Sequence, residues 1–361
     1  MENLFVYKLP KTNYENIDAD ITFSASPNLP LISLGFHNFI NRTETTFKTI
    51  ISQIESSNDF YNIVLPYDSN TANYDDNIIN KTKEFLKVDV DNNLLIIWEI
   101  LFLFDLINKK EISCLSLENE DFNIGVKQYI TKLTDIKKQK INSIKLKDKS
   151  KSNADLIVCN FSHDEEYKNY IILLQQLLIS QKYQNSKGSL VIKLSGTYTL
   201  QTLKLIYILI SFYEESYIYK PLLSKASNSD KYLICKNFKS KNDKLIYNIE
   251  KIIVSYKDKY IFDIFLSLIL PREFINSFKF INIKIANYFQ IILNDIIIYI
   301  KENNYFGDKY HSYKKKQIEN SIFWINNFLQ NKNKEDLIKG FKLILEKYNM
   351  EQTNFISNLI K

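Results

Sequence analysis

The chain has 361 residues, 45% hydrophobic and 24% charged, with 6 Gly and 6 Pro, which argues against a disordered or collagen-like chain and allows one large domain or two to three small ones. Its 47 Lys and Arg against 41 Asp and Glu leave a net charge of +6, which permits contact with nucleic acid without requiring it, since a solvated lysine-rich surface accounts for the same excess. Cys114, Cys159 and Cys235 are far apart and form no CxxC pair, and His37, His163 and His311 are scattered, so no metal site is expected. An odd cysteine count without a leader segment points to a reducing, cytoplasmic setting.

In chain order, residues 5–8 and 63–65 read as short strands, 45–54 as a helix and the Asn/Asp-rich stretch 68–80 as a loop. Residues 94–106 form an apolar run long enough for a buried helix. From there strands at 112–117, 156–160 and 190–194 alternate with helices at 122–133, 165–180 and 200–213, and strands at 216–220 and 232–236 close the set. Strands separated by helices of this length predict a parallel sheet with right-handed crossovers. Beyond residue 240 strand signals fade and helices are expected at 274–300 and 316–329, the first started by Pro271, whose missing N–H costs nothing there. The most apolar stretches, 260–270 and 285–300, read as too short or too interrupted to cross a bilayer, the second being broken by Asn287, Gln290, Asn294 and Asp295, so no membrane partner is expected. Trp98 and Trp324 fall on helical patterns and read as core.

The stretch 187–238 carries, in order, Ile192-Lys193, Lys220-Pro221, Ser224-Lys225, Asn228-Ser229-Asp230, Tyr232 and Cys235-Lys236-Asn237-Phe238. This series resembles the FtsJ-like RNA 2'-O-methyltransferases, in particular the cap-specific enzymes of large cytoplasmic DNA viruses. The resemblance implies an α/β fold, a Rossmann-like methyltransferase sheet with helices on both faces over residues 91–240, between an N-terminal mixed region (1–90) and a helical C-terminal extension (241–361). It also implies a final antiparallel strand, and an activity that moves a methyl group from S-adenosylmethionine to a ribose 2'-hydroxyl within a Lys, Asp, Lys, Glu tetrad.

Set against that tetrad, this sequence keeps little. Lys193 stands where the central Lys belongs. Asn160, at the end of Ala154-Asp155-Leu156-Ile157-Val158-Cys159, stands for the Asp, and an amide accepts a hydrogen bond without carrying charge. Asp230 stands for the Glu, one methylene shorter, and Ile96 for the first Lys. Loss of a general acid or base costs about 10²–10⁴ in rate. Where the family has a glycine-rich cofactor loop, Glu118, Asn119, Glu120, Asp121 and Phe122 follow the strand, and the first glycine is Gly125. Those carboxylates would repel the cofactor's own, although they suit a helix N-terminus. Relatives fit two strands before the one that carries the catalytic Asp. Here residues 141–146 offer one, which implies a truncated adenosine pocket.

A second resemblance joins Ser26-Pro27-Asn28-Leu29-Pro30, Asn38-Phe39-Ile40, Ile63-Val64-Leu65-Pro66 and Glu273-Phe274-Ile275-Asn276 with Phe278 to the small stimulatory subunits of poxvirus mRNA capping enzymes. These are methyltransferase folds without activity of their own. It implies a heterodimer with a catalytic capping-enzyme chain, possible contact with RNA and RNA polymerase, and a place in the viral factory or virion. No cofactor is then expected, or S-adenosylmethionine if the domain is active. Lys137, Lys138, Lys140, Lys145, Lys147, Lys149 and Lys151 form a basic segment that suits an RNA backbone or a solvated loop. An active cap 2'-O-methyltransferase and an RNA-binding structural component of a transcription apparatus are the alternatives.

Overall fold

A computed structural model describes residues 5–13, 18–27, 29–52, 63–67, 78–107, 111–117, 120–133, 138–144, 153–224, 230–256, 259–302 and 307–329. The chain opens with β1 (Phe5–Lys8), β2 (Ile21–Ser24), α1 (Leu34–Ser52), α2 (Ile78–Leu86) and α3 (Asn92–Phe104). An alternating block follows: β3 (Glu111–Leu117), α4 (Glu120–Leu133), β4 (Lys138–Ile144), β5 (Ala154–Cys159), α5 (Asn169–Tyr183), β6 (Gln184–Leu194), α6 (Leu200–Ser211), β7 (Tyr213–Lys220) and β8 (Lys231–Phe238). After it come α7 (Asp243–Ser255), β9 (Tyr260–Ile264), α8 (Arg272–Lys301), α9 (Asp308–Trp324) and a π-helical turn, Ile325–Leu329.

The main sheet has seven strands in the order β1-β7-β8-β6-β5-β3-β4. β4, β3, β5 and β6 are parallel neighbours, whereas β8 runs antiparallel to both β6 and β7 and β1 antiparallel to β7. β5 and the end of β6 are apolar on both faces, as strands covered on both sides must be, whereas β4 at the edge of the sheet is polar, with Gln139 and Lys140 exposed. Along β5 and β6, Ile157, Cys159, Leu190 and Ile192 face a core shared with α5, α6, α7 and the start of α8. Leu156, Val158 and Val191 face a second core with α3, α4 and the C-terminal Trp324 and Phe328. This is the expected Rossmann-like methyltransferase arrangement, including its antiparallel β8. All three cysteines are buried free thiols, and burial pushes Cys114 and Cys235 up to about 12.

β1 extends the sheet itself, with Leu9 N–H donating to the Ser216 carbonyl at 2.8 Å just beyond the ladder. Apart from Glu99, α3 is apolar all round from Leu94 to Phe104, and that whole stretch is buried, which only a helix enclosed by protein tolerates. Asp91 caps it by accepting the Leu94 N–H at 2.8 Å, and Asp105 ends it in the left-handed region at φ 48°.

Several expectations need correction. Ile63 and Val64 are helical, not strand, and α2 already begins at Ile78, inside the stretch read as loop. β2 and β9 form a separate two-stranded antiparallel sheet that periodicity did not reveal, because each is short and its partner lies some 240 residues away. α7 also went unread, although Asn242 caps it and Leu245, Ile249 and Ile252 mark its buried face. α8 spans 30 residues and is long and apolar enough by composition to cross a bilayer, so the length argument fails. Its packing is what assigns it to the core: Phe274, Phe278, Ile281 and Ile285 join the sheet's apolar cluster. Asn282 donates to the Thr197 carbonyl at 2.8 Å and accepts the Thr197 hydroxyl at 2.7 Å.

Candidate functional site at the carboxyl ends of the strands

Because β8 runs against its neighbours, its first residues meet the last residues of β5, β6 and β7 on one edge of the sheet. Asn160, Lys193, Lys220 and the segment Asp230-Lys231-Tyr232 therefore converge. Lys193 sits opposite Tyr232 in the β6–β8 ladder, and its ammonium is 2.9 Å from a carboxylate oxygen of Asp230. The Tyr232 hydroxyl donates to Asn160 Oδ1 at 3.0 Å. Three of the four positions read as counterparts of the tetrad are thus neighbours: Lys193 is neutralised by Asp230, and the Asn160 amide is engaged by Tyr232.

The fourth position lies elsewhere. Ile96 is buried in α3 as part of the apolar core. Three residues on, Glu99 is fully buried. It accepts the Tyr219 hydroxyl, the Leu222 N–H at 2.7 Å and, on its other oxygen, the Trp324 indole N–H at 2.9 Å. Burial raises its carboxyl above the usual range, opposed by hydrogen bonds from Tyr219, Trp324, Leu222 and Leu223. Glu99 thereby ties α3 to the turn that follows Lys220-Pro221 and to the C-terminal segment. It was legible as the one charged residue in an otherwise apolar helix.

Lys220, read in the sequence only as half of a Lys-Pro signature, carries chemistry of its own. Its ammonium is buried and donates to the Asp230 carbonyl at 3.1 Å. Burial brings its pKa down to about 7; Asp230 opposes the shift, and Lys231 and Lys193 add to it. Lys231 is buried too, brought down to about 8 by desolvation, with its ammonium 5.6 Å above the Tyr198 ring.

The loop after β6 is braced by Glu166, a second residue the sequence did not single out. Its carboxylate accepts the N–H groups of Tyr198 and Thr199 at 3.0 Å and the Thr199 hydroxyl at 2.8 Å. Thr199 in turn caps α6. A Cβ on Gly196 would stand 2.7 Å from that carboxylate, so a larger residue there would have to displace Glu166 from its bonds to Tyr198 and Thr199.

Of the residues read as a degenerate cofactor loop, Glu118 and Asn119 lie outside the described residues. Glu120, Asp121 and Phe122 form the first turn of α4. Gly125 lies inside that helix, where a Cβ would stand 2.5 Å from Ile97 Cγ2 and 3.3 Å from the Leu94 Cα. The first glycine after β3 therefore serves helix packing. One strand, β4, lies beyond β3 among the described residues, and the chain runs on from it as Lys145-Leu146-Lys147. Lys138 and Lys140 of the basic segment fall on β4, with Lys140 exposed; Lys137, Lys145, Lys147, Lys149 and Lys151 lie outside the described residues.

Residues 102–238 match the model of the FtsJ-like methyltransferase family. The chain is 28% identical over 340 residues to an uncharacterized protein of Acanthamoeba polyphaga mimivirus, with 90% of each chain covered. It is 24% identical over 107 residues to the cap-specific mRNA (nucleoside-2'-O-)-methyltransferase 2 of Drosophila melanogaster, covering 29% of this chain and 15% of the fly protein. It is 35% identical over 74 residues to the cap-specific mRNA (nucleoside-2'-O-)-methyltransferase 1 of Dictyostelium discoideum, covering 19% and 10%. The chain thus spans a small part of these two methyltransferases. The strand order and the matched span agree, and residues 102–238 of this chain form an FtsJ-like methyltransferase domain.

Proposed function

We propose that this chain is a methyltransferase-fold subunit that transfers no methyl group itself and binds and stimulates the catalytic guanine-N7 methyltransferase chain of a viral mRNA capping enzyme. The observation that carries this reading is the state of the four tetrad positions. Ile96 is sealed in the core, Asn160 is held by Tyr232, and Lys193 is paired with Asp230. An isoleucine has no proton to exchange, and an amide cannot stabilise an ammonium as a carboxylate does. S-adenosylmethionine fits the described residues poorly. The glycine nearest β3 is consumed by contact with Ile97 and Leu94, and β5 runs into an amide. A pseudoenzyme of this kind works through its partner, in the cytoplasmic factory or the virion.

The test is co-expression with the guanine-N7 methyltransferase chain of the same capping system. We expect co-elution as a heterodimer and faster N7 methylation of capped RNA; a persistent monomer and an unchanged rate would overturn the proposal. A second reading, an active cap-specific 2'-O-methyltransferase, draws on Lys220. A buried lysine with a pKa near 7, beside Lys193, is partly deprotonated at neutral pH and so able to accept a proton. Calorimetry separates the two: no heat at millimolar S-adenosylmethionine fits the silent subunit, and micromolar binding fits the transferase.

A further inference from the structure

Asn160 is followed by Phe161-Ser162-His163, which leave the sheet beside the loop after β6. Phe161 is a large apolar side chain with 36% exposure at the carboxyl end of a strand, in edge contact with the exposed His163 ring at 5.1 Å. Beside it lies a small pit lined by Phe161, Ser162, Gln176, Lys193, Ser195 and Gly196, with a cavity volume of about 10 Å³, room for one water-sized atom. Gln176 on α5 is 1% exposed. Its Nε2 donates to the Phe161 carbonyl at 3.4 Å, while its Oε1 is buried and has no partner among the described residues. Turning the amide over would set two oxygens against each other, so the orientation is fixed and the unpartnered group is an acceptor. A buried acceptor without a donor is costly, and such groups commonly await a water or a ligand.

We propose that Phe161 and this pit form a nucleobase subsite for single-stranded RNA. The base stacks on the Phe161 ring, and one exocyclic amine enters the pit and donates to Gln176 Oε1. Stacking on an exposed aromatic tolerates any base. The pit does not: adenine, cytosine and guanine each carry an exocyclic amine, whereas uracil carries only carbonyl oxygens, which would face the Gln176 oxygen. The subsite holds whether or not the domain transfers methyl. That the base belongs to a transcript rests on the capping reading above. The two fail separately, since the experiment below needs neither partner chain nor cofactor.

The full chain is titrated, at one fixed salt concentration, with short fluorescent oligonucleotides of A, C, U, and A in which adenosine is replaced by purine riboside, which lacks the amine. We expect A and C to bind about tenfold more tightly than U, and purine riboside to lose that advantage. Phe161→Ala is expected to weaken every sequence about tenfold, the scale of one lost base–aromatic stack. Phe161→Trp is expected to retain binding, with its indole emission quenched by bound RNA. Phe161 is exposed, so neither substitution threatens the fold. Equal affinity for adenosine and purine riboside would overturn the proposal, as would Phe161→Ala binding like the parent.

Discussion

Lys220 shows how far a single side chain departs from its ordinary chemistry when the fold buries it. In the unfolded chain a lysine titrates near its usual value of about 10.4, whereas the folded group has dropped to about 7. Between these two values the unfolded chain holds a proton that the folded chain has released, so stability rises with pH across that window. Below it both states are charged and the burial cost stays constant. The slope is at most about 1.4 kcal/mol per pH unit for each such lysine, and Lys231, brought down to about 8, acts in the same direction. Urea denaturation should therefore show stability increasing from pH 7 to 9, and Lys220→Met should lose about one proton's worth of that slope. An unchanged slope in the variant would mean that Lys220 is not desolvated in the folded protein. The buried thiols of Cys114 and Cys235, pushed up to about 12, oppose the trend above about pH 9, where thiols ionise first in the unfolded chain. Comparing variant and parent in the same buffers cancels that effect.

At the scale of elements, α3 is joined to the C-terminal segment by polar bonds inside an apolar surround. Glu99 accepts the Trp324 indole N–H, and the Trp98 indole N–H donates to the Phe328 carbonyl at 2.9 Å, while the Trp324 and Phe328 rings stack. Glu99→Leu removes the acceptor and strands the Trp324 and Leu222 N–H groups, a loss of about 2–5 kcal/mol. The substitution should also free the end of α9, so that trypsin cuts at Lys314, Lys315 and Lys316 faster than in the parent. Unaltered cleavage together with unaltered stability would show that Glu99 does not hold the segment. None of this pairing is visible to periodicity, which reports only which face of a helix is apolar. The alternating block from β3 to β8 was legible because long apolar strands and helices follow one another locally. Lys193, Asn160 and Asp230 stood out in the sequence as members of a recognisable series, the first two at the ends of β6 and β5 and Asp230 just before β8. Lys220, Glu166 and the β2–β9 sheet did not, and Glu99 showed only as a lone charge in an apolar helix, since their meaning arises from burial and from partners distant in sequence.

At the scale of the molecule, the FtsJ-like domain does not stand apart from what flanks it. Tyr7 and Leu9 from the N-terminus and Phe274, Phe278, Ile281 and Ile285 from α8 share one apolar cluster with the central strands, and Trp324, Ile325, Phe328 and Leu329 complete the other. Calorimetric unfolding should accordingly give a single cooperative transition whose calorimetric and van't Hoff enthalpies agree; two resolved transitions would show the flanking regions to be independent. The bonds from Trp98 to Phe328 and from Glu99 to Trp324 also close loops of 230 and 225 residues. During synthesis α3 emerges early; Glu99 meets Tyr219 and Leu222 once β7 has followed, but its second oxygen and the Trp98 indole N–H wait for residues 324–328. Until then one side of a largely apolar helix stays uncovered, a surface that exposes the growing chain to aggregation.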